Sequence, residues 1–228
     1  MTVPLVLLPG MMCDARLFAH QTAALNATVL PVTEGDNMEA LAAVVLRDAP
    51  DRFALGGLSM GGIVAMEVVR QAPHRVLGLA LMDTNPLPEL PEVRVRRGPQ
   101  IDKAAAGGLE SVMRDEMKPY YLADGPDRAA ILDLCMDMAL DLGPEVFIRQ
   151  SLALRDRPDQ SATLRIYQGQ SLVLCGREDR LCPIARHELM HDLLPASTLC
   201  IIDGAGHLPT LERPEQTTAA LRDWLMEI

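Results

Sequence analysis

The sequence Gly57-Leu58-Ser59-Met60-Gly61-Gly62 decides the fold prediction because of what stands on either side of it. An apolar run typical of a buried strand, Phe53–Leu58, leads directly into it, and a run with helical spacing, Met60–Gln71, follows directly. A G-x-S-x-G pattern between a strand and a helix is typical of a tight turn that exposes a serine hydroxyl. We therefore predict that Ser59 is a nucleophile at the carboxyl end of a strand.

The neighbours of Ser59 fit the same chemistry. Gly57 and Gly61 allow the strand and the helix to approach each other closely, as such a turn requires. A serine that attacks a carbonyl carbon also needs two backbone N–H groups to bind the oxyanion that forms. Met60, the residue after the serine, is predicted to supply one of them, and Met11, in the loop after the first strand, is predicted to supply the other.

Strand-like and helix-like segments alternate along most of the chain. This alternation predicts right-handed crossovers and an α/β fold in which a mainly parallel, six-stranded sheet is flanked by helices. The strands are predicted at Val3–Leu8, Thr28–Val32, Phe53–Leu58, Val76–Met82, Leu172–Cys175 and Thr198–Ile202. The helices of this core are predicted at Asp14–Leu25, Met38–Ala49, Met60–Gln71, Ile184–Leu194 and Pro214–Met226.

Residues 85–170 interrupt the alternation, since they carry helical patterns but no clear strand. An insertion after the fourth strand lies at the carboxyl edge of a parallel sheet, where such sheets bind ligands. We expect residues 1–84 and 171–228 to form the α/β core. Residues 85–170 are expected to form a helical lid over the site.

A serine hydroxyl needs a base, usually an imidazole that a carboxylate orients. His207 lies between glycines just after the last predicted strand, so its loop can return over the sheet edge. Asp179, in the loop after the fifth strand, is the predicted acid, with Asp83 as the runner-up and Glu178 as a third option. The order Ser, Asp, His along the chain is the one expected when this motif is catalytic.

Four segments together resemble the α/β-hydrolase superfamily, and within it the branch of 3-oxoadipate enol-lactonases and small carboxylesterases: Leu7–Gly10, Gly57–Gly62, Gly176–Asp179 and Gly204–Pro209. The resemblance covers nearly the whole chain outside the predicted lid. Two departures stand out. Pro9 occupies the position where the family usually has a histidine in the oxyanion loop, and we expect two N-terminal strands of the family to have no counterpart in this sequence.

These observations predict a serine hydrolase that cleaves a small-to-medium ester, thioester or lactone through an acyl-enzyme. The substrate is expected to be uncharged or weakly anionic. Carbon–carbon bond hydrolysis, a lyase step and perhydrolysis are alternatives on the same triad, because fold and triad alone do not select the reaction. A binding protein that keeps the triad without turnover is a further alternative.

One motif belongs to a different class of enzyme. His187-Glu188-Leu189-Met190-His191 matches the H-E-x-x-H pattern of zinc peptidases, in which two imidazoles share one helix face with a general base. No third ligand is recognisable, although Glu212 and Glu215 lie downstream. A zinc-dependent hydrolase is therefore kept as a remote alternative, and the two histidines are interpreted as solvated helix residues.

Arginines cluster where the predicted lid begins, at Arg94, Arg96 and Arg97. Guanidinium groups bind carboxylates through paired hydrogen bonds, so these side chains are candidates for holding an acidic substrate. A run of charged residues is more often a solvated helix face, and that interpretation is favoured here.

The composition argues against several classes of binding partner and of structural cross-link. The formal net charge of −10 disfavours nucleic acid and anionic lipid surfaces. The five cysteines form no C-x-x-C pair, which argues against a disulfide framework or a zinc ribbon. The short apolar run Val3–Leu8 lacks the basic flank of a secretion leader. We expect a cytoplasmic protein that binds a small-molecule substrate and needs no cofactor, and the sequence does not indicate its oligomeric state.

Overall fold

A computed structural model describes residues 3–228, so the first two positions of the predicted core lie outside the described residues. Six strands form one sheet in the order β2-β1-β3-β4-β5-β6, and every neighbouring pair is parallel. The six-stranded α/β prediction is confirmed. The strands are β1 (Leu5–Leu8), β2 (Thr28–Val29), β3 (Phe53–Leu58), β4 (Val76–Met82), β5 (Gln170–Gly176) and β6 (Ser197–Ile202).

Four strands differ from their predicted bounds, and the smallest difference is in β6, which begins at Ser197 rather than Thr198. β2 stops at Val29 instead of Val32, since Pro31 has no N–H to give to the sheet. β5 extends beyond Leu172–Cys175 because Gln170 and Gly176 also pair with neighbouring strands. β1 begins at Leu5 rather than Val3.

Helices cover both faces of the sheet. The helices before β4 are α1 (Ala19–Leu25), α2 (Met38–Asp48) and α3 (Met60–Gln71). Those between β4 and β5 are α4 (Pro91–Lys103), α5 (Leu109–Val112), α6 (Arg128–Arg155) and α7 (Ser161–Ile166). Those after β5 are α8 (Ile184–Leu193), α9 (Pro209–Glu212) and α10 (Pro214–Leu225).

Alternate side chains of β1 show how the sheet is buried on both sides. Val6 and Leu8 belong to one apolar cluster, which contains Val64 and Val68 of α3. Leu5 and Leu7 belong to the other, which contains Leu221 and Trp224 of α10. A strand buried on both faces reads as a continuous apolar run, which is why β1 was recognisable in the sequence.

The segment between β4 and β5 is helical, as its sequence predicted. α6 is interrupted at Gly143, whose φ of 79° breaks the helical path just before Pro144. A second break occurs at Gly107, where φ is 88°. Within residues 3–228, none of the helices combines the length and the apolar character that a membrane span requires.

Candidate active site

Ser59 lies on the turn between β3 and α3, with φ of 55° and ψ of −117°. This is a backbone conformation that side-chain-bearing residues rarely adopt, and such strain concentrates at functional positions. Gly57 and Gly61 make the turn possible. A Cβ on Gly57 would overlap the Gly61 backbone, and a Cβ on Gly61 would overlap the carbonyl oxygen of Leu8. The strand order reverses direction between β1 and β3, so the turn stands at the switch point where such sheets bind ligands.

The imidazole of His207 connects Ser59 to a buried carboxylate. His207 Nε2 lies 2.9 Å from Ser59 Oγ, and His207 Nδ1 lies 2.8 Å from Asp179 Oδ2. The three residues come from the ends of β3, β5 and β6, and the hydroxyl and the imidazole are 148 positions apart in sequence. The structure therefore brings together the three side chains that the sequence singled out.

Asp179 is held in an ionised form. Its second oxygen, Oδ1, accepts hydrogen bonds from the N–H groups of Leu181 at 2.8 Å and Cys182 at 3.0 Å. Burial by itself raises the pKa of this carboxyl, but the His207 ring and these two N–H donors outweigh burial and hold the pKa below its usual value. An ionised carboxylate beside Nδ1 fixes the ring in the tautomer whose Nε2 faces the serine.

The loop that carries His207 is fastened on two sides. The backbone N–H of His207 donates to the carbonyl oxygen of Tyr121, in the helical segment, at 2.6 Å. The carboxylate of Glu212 accepts from the N–H groups on either side of the histidine, those of Gly206 and Leu208, each at 3.0 Å. Glu212 also accepts from the N–H of Ala123 at 2.8 Å, so one carboxylate joins the histidine loop to the helical segment.

Asp83, the runner-up acid, lies near Asp179, and it is Asp179 that is hydrogen-bonded to the imidazole. Its Oδ1 accepts a hydrogen bond from the Gly176 N–H at 2.9 Å, whereas Oδ2 has no partner among the described residues. The side chain is completely buried. Burial, followed by the nearby charge of Asp179, raises the pKa of Asp83 well above its usual value. Glu178, the third option, is exposed.

The loop after β1, which is predicted to bind the oxyanion, is held by a residue that the sequence did not reveal. Met60 is the first residue of α3, a position whose N–H has no partner within the helix. In the loop after β1, the Met12 N–H donates to Oε1 of Gln150 at 2.9 Å, and Nε2 of Gln150 donates to the carbonyl oxygen of Val32 at 3.0 Å. Gln150 belongs to α6, so the helical segment supports the loop in which Pro9 replaces the usual histidine.

The two histidines of the H-E-x-x-H pattern have separate partners. His187 is completely buried, so its interpretation as a solvated residue was wrong. Its Nε2 accepts a hydrogen bond from the Thr84 N–H at 3.1 Å, and burial lowers its pKa to about 4. His191 is bonded through Nδ1 to Ser197 Oγ at 2.8 Å. Within residues 3–228, the side chains grouped tightly enough to hold a metal ion are Asp179, Cys182 and His207, a set that includes neither histidine of the pattern.

A cavity of about 450 Å³ opens above Ser59 and His207. Its far wall is built from the segment between β4 and β5, including Val93, Met117 and Tyr121. The size suits a small or medium ligand. Arginine side chains also contribute to the lining, and among them Arg97 is buried, which contradicts the solvated interpretation of this residue.

Arg94 fits the solvated interpretation. It is about half exposed and forms an ion pair with Asp156 at 2.8 Å. Arg96 is exposed and belongs to the lining of the cavity. The three arginines at the start of the segment therefore have different surroundings, which their shared spacing along the chain did not indicate.

Known proteins are similar to this chain along most of its length. The chain is 27% identical over 208 residues to a pimeloyl-[acyl-carrier protein] methyl ester esterase of Aromatoleum aromaticum, a match that covers 83% of this chain and 80% of the relative. A malate-bound thermophilic esterase of Thermogutta terrifontis superposes with a TM-score of 0.91 and 28% identity, covering 100% of this chain and 90% of the other.

An enol-lactonase of Burkholderia xenovorans has the same fold, with a TM-score of 0.86, 22% identity and coverage of 99% of this chain and 92% of the other. The model of the alpha/beta hydrolase family matches residues 5–221. A match of that extent covers every strand of the sheet and all three residues of the Ser59–His207–Asp179 chain. This protein is an enzyme of the alpha/beta hydrolase family.

Proposed function

We propose that this enzyme is a serine esterase, which hydrolyses small-to-medium esters, and by the same chemistry thioesters or lactones, through an acyl-enzyme on Ser59. The observation that carries the proposal is the unbroken hydrogen-bonded chain from Ser59 Oγ through the His207 ring to Asp179. A nucleophile in contact with a base, and a base in contact with an orienting acid, is the arrangement that acyl transfer requires.

In the first half of the reaction, Ser59 Oγ attacks the carbonyl carbon while His207 Nε2 takes the hydroxyl proton. Asp179 stabilises the imidazolium that forms, and the backbone N–H groups of Met11 and Met60 bind the oxyanion. Collapse of the tetrahedral intermediate breaks the bond to the leaving oxygen. His207 gives its proton to that oxygen, and the alcohol departs.

In the second half, water attacks the acyl carbon of the Ser59 ester, and His207 takes its proton. The proton then returns to Ser59 Oγ as the acid leaves. No step of this sequence needs a cofactor. The helical segment between β4 and β5 acts as a lid, since it closes the far wall of the cavity and limits the water around the reacting groups.

The direct test is covalent labelling of Ser59 with a fluorophosphonate, read by peptide mass spectrometry, together with turnover of p-nitrophenyl butyrate. Ser59→Ala is expected to lose both labelling and turnover, with kcat reduced by on the order of a millionfold. Its far-ultraviolet circular dichroism should match that of the wild type, because only one oxygen atom is removed from the turn. Labelling at another residue, or turnover by Ser59→Ala near the wild-type rate, would overturn the proposal.

A further inference from the structure

Two arginines share one buried carboxylate at the wall of the cavity. Arg97 of α4 donates through Nη2 at 2.5 Å and through Nε at 3.0 Å to Glu89 Oε2. Arg157, after α6, lies 3.1 Å from the other oxygen of Glu89. The side chains of Arg97, Arg157 and Glu89 are 11%, 8% and 6% exposed, respectively. This arginine cluster therefore carries one positive charge in excess, and that charge is almost removed from water.

An excess charge in such a place is unfavourable unless a partner compensates it. A guanidinium does not lose its proton in proteins, so the cluster keeps its charge. Burial lowers the pKa of Arg157, as expected for a cation that is removed from water. Within residues 3–228, Glu89 is the only carboxylate that forms an ion pair with either arginine. A negatively charged ligand group in the cavity would neutralise the excess positive charge of the cluster.

One nitrogen of the Arg97 guanidinium lies near the loop after β1. This nitrogen, Nη1, lies 3.9 Å from the sulfur of Met11, the residue assigned to the oxyanion loop. A thioether sulfur is a weak acceptor, so this donor is available to a better one. Arg97, Arg157 and Glu89 line the same cavity as Ser59 and His207. A ligand group bonded to Nη1 would therefore share the cavity with the carbonyl that Ser59 attacks.

The rest of the cavity has the same sign of charge. Five arginines and two glutamates line it, an excess of three positive charges in a chain whose formal net charge is −10. Low-dielectric walls that carry one sign of charge concentrate ligands of the opposite sign. The net negative charge of the chain disfavours such ligands elsewhere, whereas the arginines of this cavity attract them.

We propose that the arginine cluster of Arg97, Arg157 and Glu89 binds a free carboxylate of the substrate, so that the preferred substrates are monoesters of dicarboxylic acids. The proposal rests on the proposed function, because it assigns a substrate class to the same serine site. It also narrows the expectation of an uncharged or weakly anionic substrate to one that carries a free carboxylate. The planar guanidinium suits a carboxylate, whose two oxygens accept parallel hydrogen bonds.

The test compares esters that differ in whether the second carboxyl group is free or methylated. Monomethyl succinate, adipate and suberate are each paired with the dimethyl ester, and kcat/KM is corrected for the two equivalent ester groups of the dimethyl compound. For the best chain length, the monoester should be preferred by roughly 10- to 100-fold, the range that a hydrogen bond to a charged group supplies. A ratio near one at every length would overturn the proposal.

Variants of two arginines on α4 locate the effect. Arg97→Gln is expected to reduce the monoester-to-diester ratio to near one, whereas Arg97→Lys, which keeps the charge but loses the fork, should retain part of it. Arg94→Gln is the matched control, since Arg94 is exposed, pairs with Asp156 and does not line the cavity. A ratio that falls equally in Arg94→Gln and Arg97→Gln would assign the preference to general surface charge and contradict the cluster.

A binding measurement separates this proposal from the proposed function. Adipate should slow fluorophosphonate labelling of Ser59 at concentrations where adipamide does not, and Arg97→Gln should lose that protection. Labelled Ser59 with equal protection by adipate and adipamide would refute the carboxylate site and leave the serine esterase standing. Absence of labelling at Ser59 would refute both.

Discussion

Gln150 of α6 accepts a hydrogen bond from the Met12 N–H at 2.9 Å, although the two residues are 138 positions apart. The same amide donates to the carbonyl oxygen of Val32 at 3.0 Å, so one buried side chain joins the loops that follow β1 and β2 to the helical segment. Met12 itself has a φ of 56°. The path of the oxyanion loop therefore depends on a residue outside the sheet.

Gln150→Leu should lower both activity and stability. Removing the amide leaves the Met12 N–H and the Val32 carbonyl without partners, which costs about 1 to 3 kcal/mol for each buried group. We expect kcat for p-nitrophenyl butyrate to fall by about tenfold or more, since a displaced oxyanion donor stabilises the transition state less well. Urea unfolding and steady-state kinetics measure the two effects. Gln168→Leu, at an exposed glutamine, is the control and should change neither.

The parts of the molecule that depend on local pattern could be predicted from the sequence. β3, α3 and β4 were predicted with the bounds that the structure has, because continuous apolar runs and a G-x-S-x-G turn mark them. Ser59, His207 and Asp179 were singled out because each follows a strand, and the carboxyl ends of parallel strands meet at one edge of a sheet.

The parts that depend on side chains from distant segments could not be predicted. Gln150 looks like any polar residue of a long helix, and nothing near it in sequence marks Met12 as its partner. Arg97 shares its local pattern with the exposed Arg94, and only the position of Glu89 in space distinguishes them. His187 has the spacing of a metal ligand, but its burial against Thr84 is a tertiary property.

Gly61→Ala should disrupt the turn that presents Ser59. An added Cβ would overlap the carbonyl oxygen of Leu8, a backbone atom that cannot move without shifting β1. We expect a loss of about 3 kcal/mol or more in the free energy of unfolding, at or beyond the upper range for overpacking. Gly98→Ala, within α4 and with open space around it, is the matched control. The gain of an alanine in a helix is offset there by the restriction that Pro99 places on the residue before it, so stability should change by less than about 1 kcal/mol. Equal stability of the two variants would show that the close approach at Gly61 is described incorrectly.

Turnover should survive prolonged treatment with EDTA, and His191→Ala should keep the wild-type rate. Zinc binding at His187 would require the Nε2 lone pair that accepts the Thr84 N–H, or an Nδ1 that lies 3.4 Å from the Pro183 carbonyl oxygen. Elemental analysis of the purified enzyme and calorimetric titration with zinc provide the check. Stoichiometric zinc that is lost in His191→Ala, together with activity, would support the metalloenzyme alternative instead.

Asp179→Asn and Asp83→Asn should differ greatly in activity. Asparagine at position 179 cannot hold the His207 ring in the required tautomer, and the equivalent change in a serine protease lowers kcat by about 10⁴-fold. At position 83, asparagine keeps an oxygen for the Gly176 N–H and places an N–H where Oδ2 has no partner. We expect Asp83→Asn to retain activity within a few-fold. Comparable losses in the two variants, measured as kcat on one ester, would contradict the assignment of Asp179 as the triad acid.

The free energy of unfolding of Asp83→Asn should increase relative to that of the wild type as pH rises. Burial and the neighbouring Asp179 raise the pKa of Asp83 well above its usual value, so folded Asp83 keeps its proton where the unfolded chain has lost it. Above the unfolded pKa of about 3.9 the native state binds one more proton than the unfolded state, and the free energy of unfolding falls by about 1.4 kcal/mol per pH unit until the folded pKa is reached. Asparagine has no such proton.

The difference in unfolding free energy, variant minus wild type, should therefore increase with pH from about 4 upward, with the slope that one proton gives. Contributions from Asp179, whose folded pKa is lowered, appear below this window as pH falls. The contribution of His187, whose pKa is lowered to about 4, is common to both proteins and cancels in the difference. Urea unfolding of both proteins at pH 4.5, 6 and 7.5 makes the measurement. A difference that does not change with pH would mean that Asp83 is ionised in the native state and that its buried charge is compensated in another way.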